Sequence, residues 1–95
     1  MSLNKQKMVR EIGRRTRLPN RDVQRVIETL MEVWTEELTQ GGHIELEGFC
    51  KLDVQRIDRR HPITKQIRSF ARLRTTTGKH LRTRLQTEID RQKPD

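Results

Sequence analysis

Aromatic residues are scarce in this chain of 95 residues: Trp34, Phe49 and Phe70 are the only three, and there is no tyrosine. Hydrophobic residues of every kind reach 31%, against 36% charged. Short chains bury a smaller share of their surface than long ones. This composition therefore leaves two outcomes, partial disorder or a core completed by a second chain. The single cysteine, Cys50, excludes an intramolecular disulfide framework. No apolar run approaches membrane-spanning length, and the opening Met1-Ser2-Leu3-Asn4 carries no apolar signal region. A cytoplasmic location is expected. His43, His61 and His80 fall at no metal-ligand spacing. Paired carboxylates in a cleft-like context, a phosphate-binding glycine loop and a nucleophile motif are also missing. No enzyme, metal, cofactor or small-molecule substrate is expected.

The most informative absence is acid. From Arg59 to Thr87 there is no aspartate or glutamate, while Arg59, Arg60, Lys65, Arg68, Arg72, Arg74, Lys79, Arg82 and Arg84 supply nine positive charges. The first fifty residues balance, with 8 Lys/Arg and 8 Asp/Glu, whereas residues 51–95 hold 13 and 5, so the net charge of +8 lies in the second half. A solvated surface normally mixes signs; a segregated one is the footprint of a polyanion, and nucleic acid is the first candidate. An anionic membrane surface would need bulky apolar anchors opposite the charge, which the basic half does not offer.

Periodicity divides the chain. Met8, Val9, Ile12 and Thr16 share a helical face over Lys5 to Arg17, with Asn4 as the expected N-cap. Gly13 within it points to a close neighbour, expected to be another helix. Leu18-Pro19-Asn20 breaks the pattern, with either Pro19 in the first turn or Asn20 as cap. A longer helix follows over Asn20 to Thr39, with the stripe Val23, Val26, Ile27, Leu30, Met31, Trp34 and Leu38, and Gly41-Gly42 ends it. The period then changes to two: Ile44 and Leu46 alternate with polar residues, Gly48 punctuates, and Cys50, Leu52 and Val54 alternate again, which reads as a β-hairpin turning near Glu47-Gly48. Arg56 to Arg74 is too poor in apolar residues to build a core. It reads as a strand, a tip near Pro62 to Lys65 and a returning strand projecting into solvent. Leu81, Leu85 and Ile89 recur every four residues in a last helix from about Gly78 to Asp90, and Gln92 to Asp95 are expected to fray. The expected class is α+β: two helices, a three-stranded antiparallel sheet extended into an arm over about 56–74, and a C-terminal helix. One domain over 1–95 is expected, divided into a helical half (1–42), sheet and arm (43–76), and final helix (77–91).

With the elements in this order the sequence resembles the HU/IHF family of bacterial DNA-bending proteins. Asn4-Lys5 with Met8-Val9 and Ile12 is similar to the family's opening helix, and Asp22-Val23 through Leu38 with Gly41 to its long second helix. Ile44 to Val54 is similar to a strand-turn-strand signature normally reading Gly-Phe-Gly-x-Phe. Arg60-His61-Pro62 resembles the arm-tip Arg-Asn-Pro, and Thr77-Gly78-Lys79-x-Leu81 resembles Pro-Gly-Lys-x-Leu. The resemblance implies an intertwined homodimer, or a heterodimer with a paralogue, associated with the nucleoid. Its arms would wrap duplex DNA along the minor groove, and a tip proline would wedge between base pairs. The chain departs from the pattern at Cys50 and Leu52, which replace a glycine and a phenylalanine, and at Thr75 and Thr77. His61 stands beside the wedge in place of asparagine, Lys65 stands where a turn glycine is common, and the arm is about three residues shorter than usual.

The candidate DNA-contacting residues are Arg56, Arg59, Arg60, His61, Pro62, Ile63, Lys65, Arg68, Arg72 and Arg74 on the arm, with Lys79 and Arg82 at its base. Arginine forms forked hydrogen bonds to phosphate. Strand parity groups Arg68, Arg72 and Arg74 on one strand and Arg56 and Arg60 on the other, with Arg59 facing away from the latter two. The competing reading is a charged edge that only prevents sheet aggregation. Pro62 is a wedge or a simple turn residue, and Ile63 shares the wedge role or packs across the arm. Gly78 would leave the last helix's N-terminus open to a phosphate. Val26, Ile27, Leu30, Met31, Trp34, Leu38, Ile44, Leu46, Phe49 and Leu52 are core or dimer interface. Cys50 reads as a small buried or half-buried residue rather than a nucleophile. Two other functions compete: a helix-turn-helix regulator built on the first two helices, and an RNA-binding or assembly subunit.

Overall fold

The computed structural model describes residues 2–92 and divides into two compact units, Met1–Glu36 and Glu37–Asp95. The first unit holds α1 (Lys5–Thr16) and most of α2 (Asn20–Thr39). Asn4 caps α1 as expected: its side chain accepts the Lys7 N–H at 2.9 Å. Arg17 closes the helix in the left-handed region (φ 61°), donating its N–H to the Gly13 carbonyl at 2.8 Å. Neither expected cap starts α2. The Pro19 carbonyl accepts from Asp22 and Val23, so Pro19 is itself the N-cap residue and Asn20 the first helical one. Gly13 does mark a close approach, since a Cβ there would collide with Asn20 Oδ1 and stand 3.3 Å from the Leu18 carbonyl oxygen. Val9 and Val23 are the unit's buried apolar side chains.

The second unit is a three-stranded antiparallel sheet with α3 (Lys79–Gln92). Its strands are β1 (Ile44–Leu46), β2 (Cys50–Arg60) and β3 (Ile67–Thr77), in spatial order β1-β2-β3. Gly41 (φ 81°) follows α2, and Gly48 (φ 78°) makes the β1–β2 turn, where the Phe49 N–H donates to Leu46 O at 2.8 Å. β1 reaches only as far along β2 as Leu52, its partner for Ile44. β2 and β3 pair without a break from Cys50↔Thr77 to Arg60↔Ile67. From Asp53 and Arg74 outward the sheet is therefore a two-stranded ribbon, and eight strand residues carry it roughly 26 Å. The expected arm is present, and its two-stranded part starts slightly closer to the sheet than residue 56. Of the segment expected to fray, Gln92 is helical, and 93–95 lie outside the described residues.

The base of α3 is latched to the β1–β2 turn. The Gly78 N–H donates to Phe49 O at 2.7 Å and the Leu81 N–H to Gly48 O at 3.0 Å. A Cβ on Gly78 would stand 2.5 Å from the Gly48 carbonyl carbon. This contact narrows the expected opening of the helix N-terminus to a phosphate: backbone passes against Gly78, and one of the free helix amides is already taken.

Apolar burial is slight. Among the described residues only Val9, Val23 and Ile44 are buried hydrophobics. Within the stripe read as core or interface, Ile27, Trp34, Leu38 and Leu52 are half-buried, while Val26, Leu30, Met31, Leu46 and Phe49 stay exposed in the single chain.

Candidate nucleic-acid interface

Residues directly opposite on an antiparallel ladder project from the same face. Asp53↔Arg74, Gln55↔Arg72, Ile57↔Phe70 and Arg59↔Arg68 therefore define one ribbon face, and Val54↔Leu73, Arg56↔Ala71, Asp58↔Ser69 and Arg60↔Ile67 the other. Strand parity alone could not join the two strands; the register does. Arg59 shares a face with Arg68, Arg72 and Arg74, and Arg56 and Arg60 lie on the opposite one.

The faces differ in what holds their arginines. At the sheet end of the first, Arg74 grips Asp53 with Nε to Oδ1 at 2.8 Å and Nη2 to Oδ2 at 3.1 Å. The guanidinium holds the Asp53 carboxyl below the usual carboxylate range. Further out, no described carboxylate pairs with Arg59, Arg68 or Arg72. Arg59 and Arg68 stand directly across from each other, an arrangement that destabilises a sheet unless an anion lies between or over them. On the second face Ser69 Oγ donates to Asp58 Oδ1 at 2.6 Å, and Arg56 reaches both, each at 3.1 Å. The Ser69 hydroxyl, then Arg56, holds the Asp58 carboxyl low. That face otherwise carries Val54, Ala71, Leu73 and Ile67, with Arg60 at its tip end. The sequence reading missed Asp53, Asp58 and Ser69, because their partnership with arginine is set by register, which hydropathy does not encode.

The tip is a closed turn between Arg60 and Ile67. The His61 N–H donates to Gln66 O at 2.8 Å and the Lys65 N–H to His61 O at 3.0 Å. The imidazole Nδ1 of His61 accepts the N–H groups of Ile63 and Thr64, both at 3.2 Å. Thr64 Oγ1 accepts the Gln66 N–H at 3.4 Å. Lys65 takes the left-handed conformation (φ 61°) that a glycine would adopt without strain. Pro62 and Ile63 stand at the apex in solvent, Ile63 83% exposed. Lys79 and Arg82 are exposed on the first turn of α3, without a described carboxylate partner. No group of three or more His, Cys, Asp or Glu that could hold a metal occurs among the described residues. Cys50 is half-buried and free.

A profile of the family described as bacterial DNA-binding protein matches residues 3–93, nearly the whole chain. The chain belongs to the bacterial DNA-binding protein family. Curated relatives of this bacterial DNA-binding family include DNA-binding protein HU-1 of Halalkalibacterium halodurans, 30% identical over 53 residues. That match covers 56% of this chain and 59% of the relative, so it spans under two thirds of the relative's length. Among solved structures, the HU protein of an Anabaena HU–DNA cocrystal superposes with a TM-score of 0.70 at 18% identity, over 87% of this chain and 97% of that one. At that identity the likeness shows the fold, and the fold is the α+β architecture of HU. Among the described residues no helix is long and apolar enough to cross a membrane.

Proposed function

We propose that this protein is an architectural DNA-binding protein with no catalytic step. It grips duplex DNA with its ribbon arms in the minor groove and bends or compacts it with little sequence preference, in the cytoplasm at the nucleoid. The observation that carries this is the face on which Arg59 and Arg68 stand opposite each other, with Arg72 beside them, all without a carboxylate. The DNA-facing side is therefore that of Arg59, Arg68, Arg72 and Arg74. Arg60, Lys65, Lys79 and Arg82 extend the cationic path, and Arg56 remains tied to Asp58. Contacts of this kind read backbone, not bases. Pro62 and Ile63 form the apolar wedge at the tip.

The working unit is a homodimer in which two copies complete one DNA-binding domain. Its support is that Val26, Leu30 and Met31 on α2, and Leu46 and Phe49 at the β1–β2 hairpin, stay exposed in the single chain. Sedimentation equilibrium should return twice the chain mass; a monomer would refute the dimer, and mixing with a paralogous chain would reveal a heterodimer.

The deciding experiment is an energy-transfer bending assay on short duplexes with native protein and Pro62→Ala. Native protein should shorten the end-to-end distance, and P62A should bind while losing most of the bend. Binding that leaves the duplex path unchanged would overturn the reading, and duplex RNA or single strands bound as tightly as duplex DNA would favour an RNA-binding role. A helix-turn-helix regulator is disfavoured by α2, whose outer side carries Glu28, Glu32 and Glu36 where a reading helix needs cations.

A further inference from the structure

We propose that His61 is the positioning residue of the arm tip: its unprotonated Nδ1 holds the turn that presents Pro62 and Ile63, and uptake of a proton there releases the tip. The bending consequence rests on the function proposed above; the turn itself does not.

A neutral imidazole has one bare nitrogen, and an imidazolium has none. In this turn the bare nitrogen is Nδ1, because two backbone N–H groups, from Ile63 and Thr64, point at it. The ring proton therefore sits on Nε2. A second proton would set a donor against two donors and free both amides. Pro62, between His61 and Ile63, has no N–H to contribute. What remains of the turn is the His61–Gln66 and His61–Lys65 backbone bonds and a long Thr64–Gln66 bond at 3.4 Å. Lys65 adds no intrinsic preference for the shape, since its backbone lies in the left-handed region (φ 61°). The side chain of His61 thus supplies what local backbone preference does not.

The charged groups around the imidazole are of one sign. Arg59, Arg60 and Arg68 share the depression at the tip with His61, and Lys65 lies within the turn. The nearest acid in sequence, Asp58, is engaged by Ser69 and Arg56. Imidazole is the ordinary side chain that gains and loses a proton near neutral pH. A histidine that instead contacted DNA phosphate would gain affinity on protonation. The two roles therefore predict opposite signs: acidification loosens a turn held by Nδ1 and tightens a phosphate contact.

The test has two arms. In the free full-length protein, the imidazole ¹⁵N shifts should identify the Nε2–H tautomer, and the Ile63 and Thr64 amide protons should move with the His61 titration. In the bending assay between pH 8 and 5, native protein should lose bend as pH falls. His61→Asn should keep the bend and lose the pH dependence, because a side-chain amide oxygen can accept the same N–H bonds without titrating. His61→Ala should weaken bend-dependent binding about fivefold at every pH. Amides of Ile63 and Thr64 indifferent to the titration, a native bend that strengthens on acidification, or an H61A protein that bends like native would each overturn the proposal. Absence of bending at any pH would count against the proposed function alone, and the resonance experiment would still decide the role of His61.

Discussion

Both halves of the chain are rich in arginine, yet only the first matches it with as many acids. In the N-terminal unit Arg14 and Arg15 converge on one carboxylate, Glu11, and Lys5 reaches Glu28 at 3.1 Å. Those three cations share two carboxylates on solvated helix faces, where ion pairs contribute little to stability, and the acids of this half match its cations in number. In the arm, Asp53 and Asp58 hold one arginine each, and beyond them Arg59, Arg60, Arg68 and Arg72 have no described carboxylate partner. The lesson is that an electrostatic footprint is made by separating cations from acids, not by counting cations. The largest expected effect tests this difference. Arg59→Ala, Arg68→Ala and Arg72→Ala together should flatten the log–log salt dependence of DNA affinity by roughly 0.9 for each phosphate no longer neutralised. Arg14→Ala with Arg15→Ala should leave the slope unchanged. Equal effects from the two sets, measured by fluorescence anisotropy across a salt series, would erase the distinction.

The second test compares two glycines. At Gly78 a methyl group would meet the backbone of Gly48 at 2.5 Å, with no side chain free to yield. Gly78→Ala should cost about 2–3 kcal/mol by overpacking and separate α3 from the β1–β2 turn. At Gly13 the obstacle is the end of the Asn20 side chain, which can rotate away. There the helix propensity gained on replacing glycine, about 1 kcal/mol, offsets much of the crowding. Urea denaturation should show G78A far less stable than G13A; similar midpoints would mean the latch contributes little.

These contrasts also mark what hydropathy could and could not deliver. The period change at Gly41-Gly42 placed all six elements, because amphipathic helices and alternating strands write their geometry into residue spacing. Asn4 was legible as a cap for the same local reason, and a tip near Pro62 to Lys65 was legible between the two strands. The pairing of Arg59 with Arg68 was not, since a period of two says which residues of one strand share a face and nothing about the partner strand. Nor was the role of Gly78, whose neighbour Gly48 lies thirty positions away. Pro19 as N-cap escaped as well: its carbonyl does the work, and a side-chain rule searches for Ser, Thr, Asp or Asn.

A smaller effect concerns acid. The Arg14 and Arg15 side chains bring Glu11 down from 4.5 to about 2, and Lys5, after Gln24, helps hold Glu28 low. A carboxyl depressed in the folded state contributes stability above its unfolded pKa, and that contribution is lost as pH falls through the folded value. The thermal midpoint should therefore hold level with respect to these groups above the ordinary glutamate value of 4.5 and decline as pH drops towards 2. Glu11→Gln should remove part of the decline. Because the pair is exposed the change should be slight, and a decline that E11Q leaves untouched would assign the acid sensitivity to Glu28, Asp53 and Asp58.

The finest distinction uses two residues with the same backbone. Arg17 closes α1 and Lys65 closes the arm tip, both at φ 61°, and glycine would relieve either position. Arg17→Gly and Lys65→Gly should each alter stability by no more than about 1 kcal/mol, since relieved strain is offset by the greater freedom of glycine in the unfolded chain. Their effects on DNA should diverge. Arg17 follows Arg14 and Arg15, which Glu11 engages, in the half whose acids and bases balance, so R17G should leave the salt slope intact. Lys65 sits among unpaired arginines at the tip, so K65G should reduce the slope by roughly 0.9, the equivalent of one phosphate. If both variants left the slope unchanged, the tip lysine would lie outside the path of the duplex and the cationic track would end at Arg59 and Arg68. If R17G reduced it, the track would extend onto the first helix, and the division between a self-neutralised half and a DNA-facing half would have to be redrawn at Arg17.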